Sequence, residues 1–244
     1  MQPAAMILDL DHGLMADFSN TPHPARVYGV RAEAPVRLRD ESGTAFGFVG
    51  GGKCTIVADG RPYLLHAGEY FSLPARTSFS MMGWPAGTTE AFFVWRSRYI
   101  GLAQVGGPVE RMGRLKYIDG CSDTLLIAPP LKGDPCFNLL HFPAGITQTR
   151  HTHPTIRAGL IHGGAGKCWT AAGVKDLLPG KLFILAPDAE HAFMTEDRSM
   201  DLTVFHPDSD FGPTHEAHPM LNRTIVDGVS AAALPAIQTK ELRE

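Results

Sequence analysis

Three histidines in the second half of the chain carry the clearest chemistry. His151 and His153 are separated by one residue, Thr152, and His191 closes the run Pro187-Asp-Ala-Glu-His191. On an extended strand side chains alternate between the two faces, so His151 and His153 point the same way. His191, with Phe193 and Thr195 at the same parity, would line that interior from another strand. Three neutral imidazoles facing one point suit a divalent metal such as Zn, Fe, Ni, Cu or Co and leave positions open for water or substrate.

The elements that must position these residues read as strands. Short apolar runs such as Ala45-Phe46-Gly47-Phe48-Val49, Ala91-Phe92-Phe93-Val94-Trp95, Leu182-Phe183-Ile184-Leu185 and Leu202-Thr203-Val204-Phe205 are bounded by turn formers, the pattern of β-structure. Helical periodicity is weak except near Leu8–Phe18 and in the tail from Ser230 to Leu242, where short helical extensions are expected. An internal repeat is also legible. Gly52-Lys53-Cys54 recurs as Gly166-Lys167-Cys168, an offset of 114, and Gly68 to Leu73 matches Gly180 to Leu185, an offset of 112. The difference is placed in a turn, Asp59-Gly60-Arg61-Pro62 against Ala172-Gly173, where a length change is tolerated.

The spacing resembles the two signature motifs of the cupin superfamily, G-x5-H-x-H-x3–4-E-x6-G and G-x5-P-x-G-x2-H-x3-N. Gly145, His151, His153 and Gly164 match the first, and Gly180 and His191 the second. The departures are Arg157 at the glutamate position, Ala186 for proline, Asp188 for glycine and Thr195 for asparagine. With the repeat, the resemblance covers roughly residues 30 to 212 and implies an all-β bicupin, two double-stranded β-helix (jelly-roll) barrels in one chain. It implies an N-terminal extension over 1–28, a degenerate metal-free barrel over 29–105, a metal-binding barrel over 106–215 and a tail over 216–244 with a helix. It also implies one divalent metal on His151, His153 and His191.

In cupins the missing glutamate is usually a fourth ligand. Arg157 in its place leaves a neutral donor set and offers a guanidinium that can hold a carboxylate, enolate or phosphate by two parallel hydrogen bonds. A register shift of one residue would instead put Arg157 on the surface or in an interface. The arrangement resembles cupin dioxygenases with three histidines on Fe(II), such as those cleaving gentisate or β-diketones and the thiol dioxygenases. The leading expectation is therefore a non-haem Fe(II) dioxygenase of a small anionic or enolisable substrate, with Zn, Ni, Mn or Cu as alternative metals. An isomerase, lyase or decarboxylase is the second reading, with Tyr117, His141 or Glu196 as its only proton carriers, and a non-catalytic binding cupin is the third.

Other residues have plainer readings. His162, at opposite parity to Arg157, should point away from the lumen; His141 is a second-shell donor or wall residue; Glu190 is solvated; Trp169 is a core aromatic. His206, His215 and His218 are placed after the last barrel strand, with His215-x-x-His218 a weak metal-like spacing, and His12, His23 and His66 are read as surface. In the first copy Arg37, Arg39 and Phe79 stand at the histidine positions, leaving a scaffold or, alternatively, an anion site of two arginines. The segment Phe79–Trp84 could pack internally or form a homodimer contact.

Composition bounds the rest. The 244 residues are 44% hydrophobic and 19% charged, with a net charge of -3, which gives no signature for nucleic acid. No apolar run reaches the ~20 residues of a membrane helix, and Met1 to Met6 carries no basic flank or signal-like core, so a cytoplasmic location is expected. Cys54, Cys121, Cys136 and Cys168 form no C-x-x-C pair and read as buried thiols.

Overall fold

The computed structural model describes residues 4–85, 87–214 and 218–240. The first half contributes β1 (Ala5–Asp9), β2 (Gly13–Phe18), β3 (Ala25–Val30), β4 (Val36–Arg39), β5 (Gly43–Gly51), β6 (Lys53–Ala58), β7 (Arg61–His66), β8 (Tyr70–Ala75), β9 (Ser78–Trp84), β10 (Glu90–Ser97) and β11 (Gln104–Gly106). The second contributes β12 (Leu115–Lys116), β13 (Ser122–Ile127), β14 (Cys136–Phe142), β15 (Arg157–Gly164), β16 (Gly166–Thr170), β17 (Gly173–Leu177), β18 (Lys181–Leu185), β19 (His191–Met194) and β20 (Met200–His206). A large sheet ordered β11-β8-β5-β10-β3-β2 faces a small one, β4-β9-β6-β7. The pattern returns as β1-β18-β15-β20-β14-β13-β12 facing β17-β16-β19. The fold is all-β, two barrels in one chain.

The repeat is real, but it runs at one offset of 112 from β5 through β9. Gly52 and Gly164 both take the left-handed conformation, at φ 69° and 67°, and Ala58 pairs with Phe79 as Thr170 pairs with His191. The β6–β7 and β16–β17 turns have equal length, Ala58 facing Arg61 and Thr170 facing Gly173. The Gly-Lys-Cys match at 114 is therefore a coincidence of three residues, and no insertion separates the turns. A cross-strand pair is duplicated too: Gly47 lies opposite Phe71 and Gly159 opposite Phe183. A β-carbon on Gly159 would sit 2.5 Å from the Phe183 ring and closer still to the Thr203 carbonyl. Gly159→Ala is expected to cost about 1–3 kcal/mol by overpacking, read as a lower midpoint in chemical denaturation.

Both faces of the large sheets are buried, which explains why their strands read as near-continuous apolar runs. One face of β5 and β10 turns inward, where Val49, Phe93 and Trp95 meet Ile56 and Met81 of the small sheet. The other face carries Phe46, Phe48, Phe92 and Val94 against Leu160, Ile184 and Phe205 of the second half. The two barrels thus stand back to back on an aromatic layer, with Phe46 and Phe205 5.2 Å apart between ring centroids. His162 points into this layer against Phe48 at 4.7 Å, away from the lumen as its parity requires. Burial holds its imidazole at about 4.

The expected helical extensions are not helices. Residues 5–9 and 13–18 are β1 and β2, and β1 adds to the edge of the second barrel through β18. The turn between them, with Gly13 at φ 106°, interrupts any helical run. Among the described tail residues the only helical turns are two single 3-10 turns, Leu221–Arg223 and Ala231–Ala233; Pro235 follows the second and cannot continue it. Leu242 and His215 lie outside the described residues. No helix is long and apolar enough to cross a membrane among the described residues. All four cysteines are buried and free, and burial pushes the thiols of Cys54, Cys136 and Cys168 up to about 12.

Candidate metal centre

His151 and His191 face one another across an antiparallel bridge, each backbone N–H donating to the other's carbonyl at 3.0 Å. His153 lies two residues on, and its carbonyl accepts from the Asp188 N–H at 2.8 Å. The rings gather at centroid distances of 4.4 Å (His151–His191), 5.0 Å (His151–His153) and 5.2 Å (His153–His191). One ring nitrogen from each lies within 4.8 Å of the others, a group that could hold a metal ion. The tautomers are legible from the hydrogen bonds that the rings make away from the centre. His151 Nδ1 lies 2.7 Å from the Thr149 carbonyl and His191 Nδ1 2.9 Å from the Ala189 carbonyl. A carbonyl only accepts, so both Nδ1 atoms carry the proton and both Nε2 lone pairs are free. Burial, with the neighbouring Arg157 and the other rings, holds His153 at about 3. Burial, opposed by the Ala189 carbonyl, holds His191 at about 4. Each is neutral near pH 7, the form that ligates.

Arg157 opens β15 and faces the same lumen, only 9% exposed. Its Nη1 donates to Thr155 Oγ1 at 2.7 Å and to the Ile156 carbonyl at 2.9 Å. Thr155 Oγ1 in turn donates to Asp208 at 2.6 Å. Its Nε is buried with no partner. Among the described residues no carboxylate lies in ion-pair contact with this guanidinium, and burial pulls its pKa down. Asp208, reached only through the Thr155 hydroxyl, offsets part of that burial; a buried guanidinium without a directly paired carboxylate is costly, so the lumen favours an anion beside it.

The cavity over these groups has a volume of about 40 Å³ and is walled by apolar side chains including Leu140, Phe183, Phe193 and Val204. On the scale where one water needs ~10–15 Å³, that is room for about three waters. Any ligand held without side-chain movement is small.

No family model and no curated protein matches the sequence. Solved structures do match in fold. A cupin 2 conserved barrel domain protein from Leptotrichia buccalis superposes with a TM-score of 0.55 at 13% identity, over 85% of this chain and 92% of that one. Protein Ylba from E. coli gives 0.58 at 16% identity, over 88% of each chain. The chain has the cupin fold. A mutant salicylate 1,2-dioxygenase from Pseudoaminobacter salicylatoxidans in complex with gentisate gives 0.55 at 12% identity, over 75% of this chain and 68% of that one.

Within this cupin fold the first barrel lacks the histidine pair. Leu38 and Phe79 are partners where His151 and His191 stand in the second, and both are buried in the apolar interior. Arg37 and Arg39 alternate with Val36 and Leu38 and are exposed. The alternative of an arginine anion site inside the first lumen is therefore overturned by strand parity.

Several other residues fall elsewhere than expected. His141 is paired with Asp201 at 2.6 Å and is not a partner of the histidine cluster. Glu196 is exposed and bonded to Lys167, so it carries no proton into the lumen. Trp169 is half-buried beneath the Arg150 guanidinium, 3.7 Å from its ring; Cys168 takes the inward position beside it. Glu190 is exposed, as is His66, whereas His12 and His23 are half-buried.

Two lumen residues escaped the sequence reading, and one uncertain candidate is brought in. His206 is the last residue of β20, not beyond it, and shares a face with Leu202 and Val204; that parity is the signal that could have found it. Asp123 on β13 lines the cavity and accepts from Asn138 Nδ2 at 2.8 and 2.9 Å. Burial raises its pKa, and nothing in its local sequence marks it. Tyr117 also lines the cavity, its hydroxyl pKa raised by burial and by Asp123.

Proposed function

We propose that the second barrel, over 106–215, holds one divalent metal on His151, His153 and His191 and acts on a small anionic substrate as a non-haem Fe(II) dioxygenase. The degenerate barrel over 29–105 serves as its scaffold. The observation that carries this reading is the buried Arg157, in direct contact with no carboxylate among the described residues, beside the three-histidine cluster. The donor set fits such a metal, because two imidazoles have their Nδ1 protons committed to backbone carbonyls and present Nε2. When bound, the metal supplies oxygen activation and leaves positions open for substrate. Arg157 binds the substrate's anionic group, and Phe183, Leu185 and Phe193 exclude water from the lumen. The similarity in fold to the salicylate 1,2-dioxygenase solved with gentisate supports the reaction class by analogy only.

A second reading rests on Asp123 and Tyr117. A half-buried carboxyl of raised pKa can hold a proton at Oδ and pass it to or from a substrate carbon, the step an isomerase or lyase needs. Oxygen-electrode assays of iron-loaded protein against small hydroxy- and keto-carboxylates separate the two. Substrate-dependent oxygen uptake supports the dioxygenase; turnover without oxygen contradicts it and supports the Asp123 reading. Binding with neither would leave a ligand-binding cupin.

Arg157→Met is expected to weaken the anionic substrate at least ~30-fold, the effect of removing one partner of a desolvated charge pair. Metal content should not change. Substrate titrations with matched metal analysis check both halves of this expectation.

A further inference from the structure

The lumen contains a second unpartnered nitrogen beside the one on Arg157. His206 Nε2 is buried and has no hydrogen-bond partner, like Arg157 Nε. The two residues sit side by side: Ala158 pairs with Phe205 across β15 and β20, so one step outward in the antiparallel register Arg157 stands opposite His206. Both line the metal-centre cavity. His206 is not part of the three-histidine group, so its nitrogen is not explained by the metal. Burial, with Arg157 and His153 adding repulsion, holds its pKa well below the ordinary value. It is therefore a neutral imidazole able to present an N–H, and a neutral ring tolerates the adjacent guanidinium where an imidazolium would not.

We propose that His206 is a ligand-binding residue, forming with Arg157 a two-donor subsite that grips one oxyanion group, a carboxylate or its equivalent, on the β15–β20 wall of the lumen. This rests on the reading of Arg157 as the anion holder and deepens it. Arg157 Nε and His206 Nε2 are both unpartnered on the lumen face of this wall, and with His206 in its Nε2–H tautomer an oxyanion accepts from both. The subsite is built from the protein alone, so it should bind an anion whether or not metal is present. It also predicts discrimination: an amide of the same shape offers the two donors one neutral acceptor in place of a charged pair of oxygens.

The test is a titration of metal-free protein, labelled with 15N-histidine, with acetate and with acetamide as probes. Acetate is expected to shift the His206 ring nitrogen resonances saturably, and acetamide to bind more weakly. His206→Leu should weaken acetate about tenfold or more, the effect of losing a hydrogen bond to a charged group, while His206→Gln, which restores an N–H donor, keeps it within a few-fold. Thermal melts of the variants establish that both fold. If His206→Leu binds acetate like wild type while Arg157→Gln loses it, the His206 subsite is overturned and the reading of Arg157 stands. If neither variant changes acetate binding, both fall.

Discussion

His191→Ala is expected to lower affinity for Fe(II) or Zn(II) by more than ~100-fold, beyond the 10–100-fold typical of losing a mere outer-shell partner. The reasoning is one of donor number and preorganisation. His191 is 1% exposed, its ring is set by the Ala189 carbonyl, and its backbone is locked to His151 by two hydrogen bonds. Its removal leaves two imidazoles of the one three-histidine group found among the described residues. His141→Gln is the matched control. That histidine is bonded to Asp201 and does not line the cavity, so metal affinity should stay at the wild-type value. Competition with a chromophoric chelator reads both variants.

The largest effect on stability is expected from Phe205→Ala, a loss of about 3–5 kcal/mol. Phe205 is fully buried in the layer between the barrels and leans on Phe46 of the first half. The deletion leaves a cavity in an interface that neither large sheet can close without breaking its ladder. Because both halves share this layer, they should still unfold in one transition, with its midpoint lowered by roughly 6–20 °C at about 2–4 °C per kcal/mol. Calorimetry decides the matter: two separated transitions would mean that the barrels are independently stable. By contrast Arg37→Ala, on an exposed position of β4, should change stability by less than ~0.5 kcal/mol.

Much of this was legible in the residues because β-structure writes its faces with a period of two. The inward Arg157 and the outward His162 follow from parity along β15, whereas His151 and His153 lie between β14 and β15, where a single bridge from His151 to His191, not a strand, gathers them. What escaped depends on register and on strand ends. His206 was placed after the last barrel strand, although it ends β20 and Leu202 and Val204 share its face. Asp123 sits on β13, where five of six residues are only half-buried and the alternation that would mark a lumen position is absent. The arginines of β4 were set at the histidine positions by an offset of 114, whereas Leu38 stands where His151 does, an offset of 113, and a one-residue slip reverses every face. The extensions looked helical because apolar spacing over a few residues fits both periods; pairing of β1 with β18 decided it.

The central claim is that His151, His153 and His191 together hold one metal ion. Metal analysis of protein purified without an affinity tag, for wild type and for the His151→Ala/His191→Ala double variant, tests it most directly. The account predicts about one equivalent of a divalent first-row metal in the wild type and none in the double variant. A wild type that takes up no metal even after reconstitution with Fe(II) or Zn(II), or a double variant that retains its equivalent, would contradict it.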